Sequence, residues 1–341
     1  MDENIVIFKN EKIGDLIHSV SAIKTIISKH SNAQINVFLS KYNSEMRFLV
    51  KGQNVKFHII SEKINFSDKL KVIYFFLSIK ISKVYILKPS YFLFLLPIFF
   101  YFKKIFFYGI CVNNEKYHRP SLYVRKFLKR FVVNDRGTKN IRKSINDLHL
   151  NLVLNKNEYK YNLATIEKEK VINTKFKNYF LIHFNKFKFS KLNWELNDFF
   201  RIVQELKSFS DQLVLTNDIN DEETNILIKN QYNKLNDNKI FYLPNIKGKE
   251  FFDVIGNANL VISFHGMITS IAAIQNTNVL DLFNCEINNK FDFYKYKNAF
   301  HEFKPKSNNY EFIIPKKDLN RSIHKIKYII ANGRKINNKN F

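Results

Sequence analysis

Apolar runs of strand length alternate with stretches of helical period from one end of this 341-residue chain to the other. That alternation points to an α/β fold, a parallel sheet built from strand-helix-strand units. In the first half, strands are expected at residues 5–8, 35–39, 55–60, 84–87 and 105–108. The clearest helix between them is 15–29, where Leu16, Val20, Ile23 and Ile27 fall at i, i+4, i+7 and i+11, one stripe to lie on the sheet. A Lys/Asn/Glu-rich stretch, 155–178, separates this series from a second, with strands expected at 179–184, 213–216, 240–243, 260–264 and 279–283 and a closing helix at 319–331. The expected domains are residues 1–158 and 159–341, the last helix packing back on the first. Two doubly wound, Rossmann-like domains would face each other across a central cleft, with ligand at the carboxyl ends of their strands.

The hydrophobic content of 45% suits two buried cores, and the net charge of +25 asks for an acidic partner: nucleic acid, anionic lipid or a phosphorylated substrate. Lys, Asn, Ile, Phe and Tyr all have A/T-rich codons, so genome bias explains the lysine excess equally well. The aromatic residues lie inside apolar runs and the lysines are dispersed, which argues against a nucleic-acid stripe. Cys111 and Cys285 stand far apart with no CxxC spacing, so neither disulfides nor zinc are indicated. The start, Met1-Asp2-Glu3-Asn4, has no basic n-region before its apolar stretch, and a cytoplasmic location is expected. The longest apolar run, 91–102, is shorter than the ~20 residues of a membrane span and is interrupted by Pro97. It reads as a buried helix or as a face that dips into a membrane surface between Lys88, Lys103 and Lys104.

The first strand leads into Lys12-Ile13-Gly14-Asp15-Leu16-Ile17-His18-Ser19, so Gly14 and Asp15 stand at a strand-to-helix turn. A carboxylate there can take a proton from a ligand; it can also simply cap the helix. The second landmark is Leu260 to Ile274, a strand followed by Phe264-His265-Gly266-Met267 and an apolar helix whose first amides would suit phosphate. In both places the chain resembles the family 9 glycosyltransferases, the bacterial heptosyltransferases of lipopolysaccharide core. The resemblance implies the GT-B type of fold, an acceptor-binding N-terminal domain and a C-terminal domain for the nucleotide-sugar donor. It makes Asp15 the general base and places Gly14, His18, Lys116, His118 and Arg119 toward a phosphate-bearing acceptor, beside a basic helix through Arg125, Lys126, Lys129 and Arg130. Lys191, in a partial match to the family's Lys-x-Trp-Pro segment around Trp194, would meet the donor diphosphate, as would Thr216, Asn217, His265, Gly266 and Met267. The family's acidic and hydroxyl residues before Gly266 are replaced by Phe264 and His265, which puts the donor sugar in question.

No D-x-D occurs, so no metal is expected, nor any cofactor. Neither G-x-x-x-x-G-K-[ST], G-x-G-x-x-G nor G-x-S-x-G is present, which counts against a P-loop nucleotidase, a Rossmann dehydrogenase and an α/β-hydrolase. The expectation is an inverting, metal-independent transfer of heptose or a related sugar from a nucleotide sugar to a phosphorylated, lipid-linked glycan. The enzyme would sit at the anionic inner face of the bacterial inner membrane, with no nucleic-acid partner. A non-heptose donor serving capsule or another glycan is the alternative, and a basic nucleic-acid-binding protein the rival from another class.

Overall fold

The computed structural model describes residues 3–113, 118–136, 143–154, 176–218, 221–283, 290–305, 307 and 309–332. The chain falls into two compact units, residues 1–164 with 289–304, and residues 165–288 with 305–341. The linker expected at 155–178 lies, up to residue 175, outside the described residues.

Among the described residues, seven strands form the first sheet: β1 (Asn4–Lys9), β2 (Gln34–Leu39), β3 (Val55–Ile59), β4 (Ile81–Ile86), β5 (Phe106–Asn113), β6 (His118–Arg119) and β7 (Arg130–Asp135). Their order is β3-β2-β1-β4-β5-β6, with β7 also on β5, and only the β5/β6 pair is antiparallel. β1 is central because Ile5, Val6, Ile7 and Phe8 are apolar toward both faces and fully buried, as a parallel strand covered by helices requires. The helices are α1 (Ile13–Ile17), α2 (Val20–Lys29), α3 (Phe66–Ser78), α4 (Tyr91–Phe99), α5 (Leu122–Arg125) and α6 (Ile145–Val153).

The single helix expected at 15–29 is therefore two. Ser19 at the break donates its hydroxyl to Leu16 O at 2.8 Å, a local bond that competes with the helix. Leu16, Val20 and Ile23 are buried as expected, but Ile26 rather than Ile27 completes the stripe. The expected basic helix stops after α5, because Val132-Val133 favours strand and draws Arg130 into β7. Gly109 in β5 is a packing requirement: a Cβ there would lie 2.8 Å from the Phe94 ring of α4.

The second sheet is all parallel, β8 (Tyr179–Phe184), β9 (Gln212–Asn217), β10 (Ile240–Tyr242), β11 (Leu260–Phe264), β12 (Val279–Leu282) and β13 (Tyr310–Ile313), in the order β10-β9-β8-β11-β12-β13. Its helices are α7 (Lys186–Ser190), α8 (Leu196–Leu206), α9 (Glu222–Leu235), α10 (Gly248–Asn257) and α11 (Met267–Ile274), followed by α12 (Lys290–Phe303) and α13 (Leu319–Ala331). It is α12 that returns to the first unit, where the buried Glu302 accepts hydrogen bonds from Asn134 (2.9 Å) and Arg136 (2.6 Å). The closing α13 packs on α8, with Lys327 donating to Glu205 at 2.8 Å. Trp194 is a packing residue, buried against Phe189 and Phe264, its indole N–H on Lys317 O at 3.0 Å.

In each sheet the strand order reverses once beside the central strand, between β1 and β4 and again between β8 and β11. Chains leaving two such strands diverge to opposite faces of the sheet, which opens a crevice at their carboxyl ends. No helix of the described residues is long and apolar enough to cross a membrane.

Candidate functional site

At the first reversal, α1 starts three residues after β1. Lys12 is its N-cap and makes no side-chain capping bond, so Asp15 stands in the first turn as a half-buried carboxylate and is not the cap. The capping explanation for this aspartate falls away with that geometry. Lys88, just beyond β4, faces it across the reversal: burial lowers the lysine's pKa, while Glu11, Glu62 and Asp15 pull it back up. Lys88 Nζ donates to the carbonyls of Asn10 (3.0 Å) and Glu62. Lys9, only 2% exposed, pairs with Glu11 and lies 3.4 Å from His149 Nε2. His149 is wholly buried, and that burial holds its pKa well below the ordinary imidazole value, with Lys9 and His18 adding to the effect. Asp15 is thus a carboxyl group in reach of solvent, backed by lysines already bonded to the backbone and to Glu11.

The second reversal carries the opposite sign. Asn185 caps α7 by accepting from Lys188 N at 2.8 Å, and this turn aims the Lys188 side chain at the β11–α11 connection. Its ammonium donates to the His265 carbonyl, and a Cβ on Gly266 would lie 3.1 Å from it. Burial lowers the Lys188 pKa, partly offset by Asp281 and Asp218. The cation at this turn is therefore Lys188. Lys191, expected here, is exposed one turn away with its ammonium 4.4 Å from the Phe187 ring centre.

His265 Nδ1 lies 2.6 Å from Asp281 Oδ2, and the same carboxylate accepts from Tyr310 OH. Asp281 is fully buried in β12, and the register that pairs Ser263 with Asp281 brings it beside the imidazole. A carboxylate on Nδ1 fixes that nitrogen as donor and leaves Nε2 for a ligand. Phe264, expected to face a ligand in place of the family's acid, points the other way into the core against Phe189 and Trp194. The Gly266 N–H is spent on the Thr269 hydroxyl (3.1 Å), so the amides left for an anion start at Met267, in the first turn of α11.

Other expected residues are committed elsewhere. His183 Nδ1 lies 3.0 Å from the buried Thr216 hydroxyl and Nε2 3.3 Å from Asp218, while Asn217 accepts from Tyr242 OH at 2.9 Å. His18 is buried behind the first turn, 3.0 Å from Asn146 Oδ1 and against the Phe303 ring. Arg119 lies over Tyr91 at 4.5 Å, and His118 is exposed beside it on β6. Arg125 and Arg130 are structural, bonded to Pro120 O (3.1 Å) and Leu154 O (2.6 Å). Lys116 lies outside the described residues. Among the described residues, no three His, Cys, Asp or Glu are grouped to hold a metal. Asp281 carries a sequence signal, an acid in the middle of the apolar run 279–283; Lys188 carries none, lying between Lys186 and Lys191.

No protein-family model matches the chain, and no curated protein matches it in sequence. Solved structures do. A glycosyl transferase family 9 protein from Veillonella parvula shares the fold at a TM-score of 0.62 and 11% identity, over 99% of this chain and 91% of that one. The E. coli ADP-heptose lps heptosyltransferase II does so at 0.64 and 13%, over 97% and 99%. UDP-GlcNAc 2-epimerase from Methanocaldococcus jannaschii follows at 0.57 and 14%, over 98% and 94%. At these identities the likeness establishes the fold, two doubly wound domains of the kind these sugar-nucleotide enzymes have.

Proposed function

We propose that the chain is a glycosyltransferase that moves heptose or a related sugar from a nucleotide-sugar donor to a phosphorylated glycan acceptor. The observation that carries this reading is the pair of strand-order reversals with opposite chemistry, a carboxylate at the first and a lysine, an oriented imidazole and helix amides at the second. A diphosphate leaving group asks for the second set and an acceptor hydroxyl for the first. In the proposed step, the acceptor oxygen bonds to the anomeric carbon from the face opposite the leaving group. The bond from that carbon to the diphosphate breaks with its electron pair on the phosphate oxygen, and the hydroxyl proton goes to Asp15. Lys188 and the α11 amides neutralise the departing charge without requiring a metal, and His265 adds an Nε2–H donor in the form that carries a proton on both ring nitrogens. The resemblance to the heptosyltransferases supports a lipid-linked core glycan at the inner face of the membrane as acceptor.

A donor other than ADP-heptose, serving capsule or another surface glycan, has its own support. Phe264 is buried, and Asp281 is already engaged by His265 and Tyr310, so the turn offers a sugar no open carboxylate. Thermal-shift measurements against a panel of ADP-, UDP-, GDP- and CMP-linked sugars test both readings, because a ligand of the native state raises Tm. A shift with one nucleotide family names the donor, and transfer assays with that donor follow. The absence of any shift across the panel would overturn the transferase reading.

A further inference from the structure

We propose that the outer faces of α3 and α4 together form a docking surface for an anionic lipid bilayer. The two helices cover one face of the first sheet, with Val72 and Phe76 of α3 sharing a buried core with Leu93, Phe94 and Leu96 of α4. Lys103 Nζ closes the seam between them on Phe76 O at 2.9 Å. On the side away from that core, α3 presents Phe66, Leu70, Tyr74 and Leu77. Tyr91, Leu95, Phe99 and Phe102 do the same on α4 and the 3-10 turn Tyr101–Lys103 that extends it. The spacing i, i+4, i+8, i+11 keeps the four residues of α3 within an arc of about 80° on one side of the helix, and Tyr91, Leu95 and Phe99 do the same on α4, with Phe102 following on the turn. All of these side chains are exposed, from 40% for Leu95 through 74% for Phe66 to 92% for Phe102. A helix needs one apolar stripe to pack on a sheet; here each has a second facing solvent, and a contiguous apolar surface of that kind marks a binding site.

Charge identifies the occupant. Residues 69–134 hold 13 lysines and arginines and one acid, Glu115. The acid at the start of α3, Asp68, is buried and accepts from Ser61 N at 2.9 Å. Lys71, Lys80, Lys103, Lys104 and Lys126 are exposed around the stripes. A second copy of the chain would bring cations against cations, whereas an anionic headgroup layer takes the lysines on its phosphates and the rings just beneath them. The tyrosines suit the polar-apolar boundary. The inference stands apart from the transferase reading, since its test uses neither nucleotide nor sugar.

The test is flotation of the full chain with phosphatidylcholine vesicles and with vesicles that also carry phosphatidylglycerol. Binding is expected only to the anionic vesicles and is expected to fall as salt rises through the physiological range. Phe99→Ser with Phe102→Ser should weaken it about tenfold or more, as should Phe66→Ser with Tyr74→Ser. Phe187→Ser, an equally exposed ring in the second unit, should leave it unchanged. The salt dependence of the unaltered protein needs no variant and holds the proposal to account even if one misfolds. Equal binding to neutral vesicles, or stripe variants that bind like the parent, would overturn it. So would self-association abolished by the stripe variants without any vesicle binding, which gives the face to a second copy, or a single-stranded oligonucleotide bound through the same residues in preference to lipid.

Discussion

The two sheets share one strand order and differ in what stands where that order reverses. Beside β1 and β4 the open group is a carboxylate, Asp15, with Lys9 and Lys88 already tied to Glu11 and to backbone carbonyls. Beside β8 and β11 the carboxylate, Asp281, is buried under His265 and Tyr310 and the imidazole faces the turn, with Lys188 held beside Gly266 by its bond to the His265 carbonyl. Topology fixes where a ligand can be held, and on the proposed reading the side chains at each reversal decide which end of the reaction is served there. The general pattern of a doubly wound fold therefore leaves function open, and the side chains close it.

The largest expected effect separates the two reversals. Asp15→Asn keeps the size of the side chain and, since Asp15 does not cap α1, should leave Tm nearly unchanged while turnover falls ~10²-fold or more. Donor-product binding should not move. Near-normal transfer by this variant would remove acid-base chemistry from the first reversal.

Next comes the choice between two lysines. Lys188→Ala should weaken nucleoside diphosphate binding by roughly 10- to 100-fold, the usual worth of a charge-assisted hydrogen bond, and Lys191→Ala by about twofold at most, as an exposed charge held over a ring. Titration calorimetry on both ranks them, and the reverse ranking would restore Lys191.

A smaller effect tests the orientation of His265. His265→Ala and Asp281→Asn should each weaken the same binding by about tenfold, and the double variant should be little worse than either alone, because the carboxylate acts through the imidazole. Fully additive losses would show the two side chains acting separately, with Asp281 supporting the fold only.

The smallest is a difference in acid sensitivity. Burial lowers the pKa of His149 from an ordinary value of 6.5, so below that pH the unfolded chain takes up a proton that the native state refuses. Stability contributed by this group is present above about pH 6.5 and is lost as pH falls toward the lowered folded value. Melting of the first unit should therefore decline on acidification, and His149→Gln should flatten that decline. An unchanged slope in a folded His149→Gln protein would place the sensitivity elsewhere, for instance at His58, whose pKa is also lowered by burial.

Much of this molecule was legible in the chain. The central strands were read to within a few residues because a strand buried on both faces must be apolar throughout, and β8 and β11 match their expected bounds. The turn at Asp15 and the Gly266 turn were found because a strand followed at once by an apolar helix leaves few places for polar residues. The edge strands β6, β7 and β13 are not legible in the sequence, since an edge strand makes fewer apolar contacts and carries a weaker pattern.

Local pattern determined the fold class, the two-series division and the carboxylate at the first turn, because periodicity and turn chemistry act within a few residues. Only the tertiary structure decided which of the clustered lysines reaches Gly266, that Phe264 turns inward and that Asp281 stands behind His265. It alone showed that the second stripes of α3 and α4 face solvent. Each of these depends on register between strands and on which flank of a helix meets the sheet, and those are settled by contacts between residues far apart in the chain.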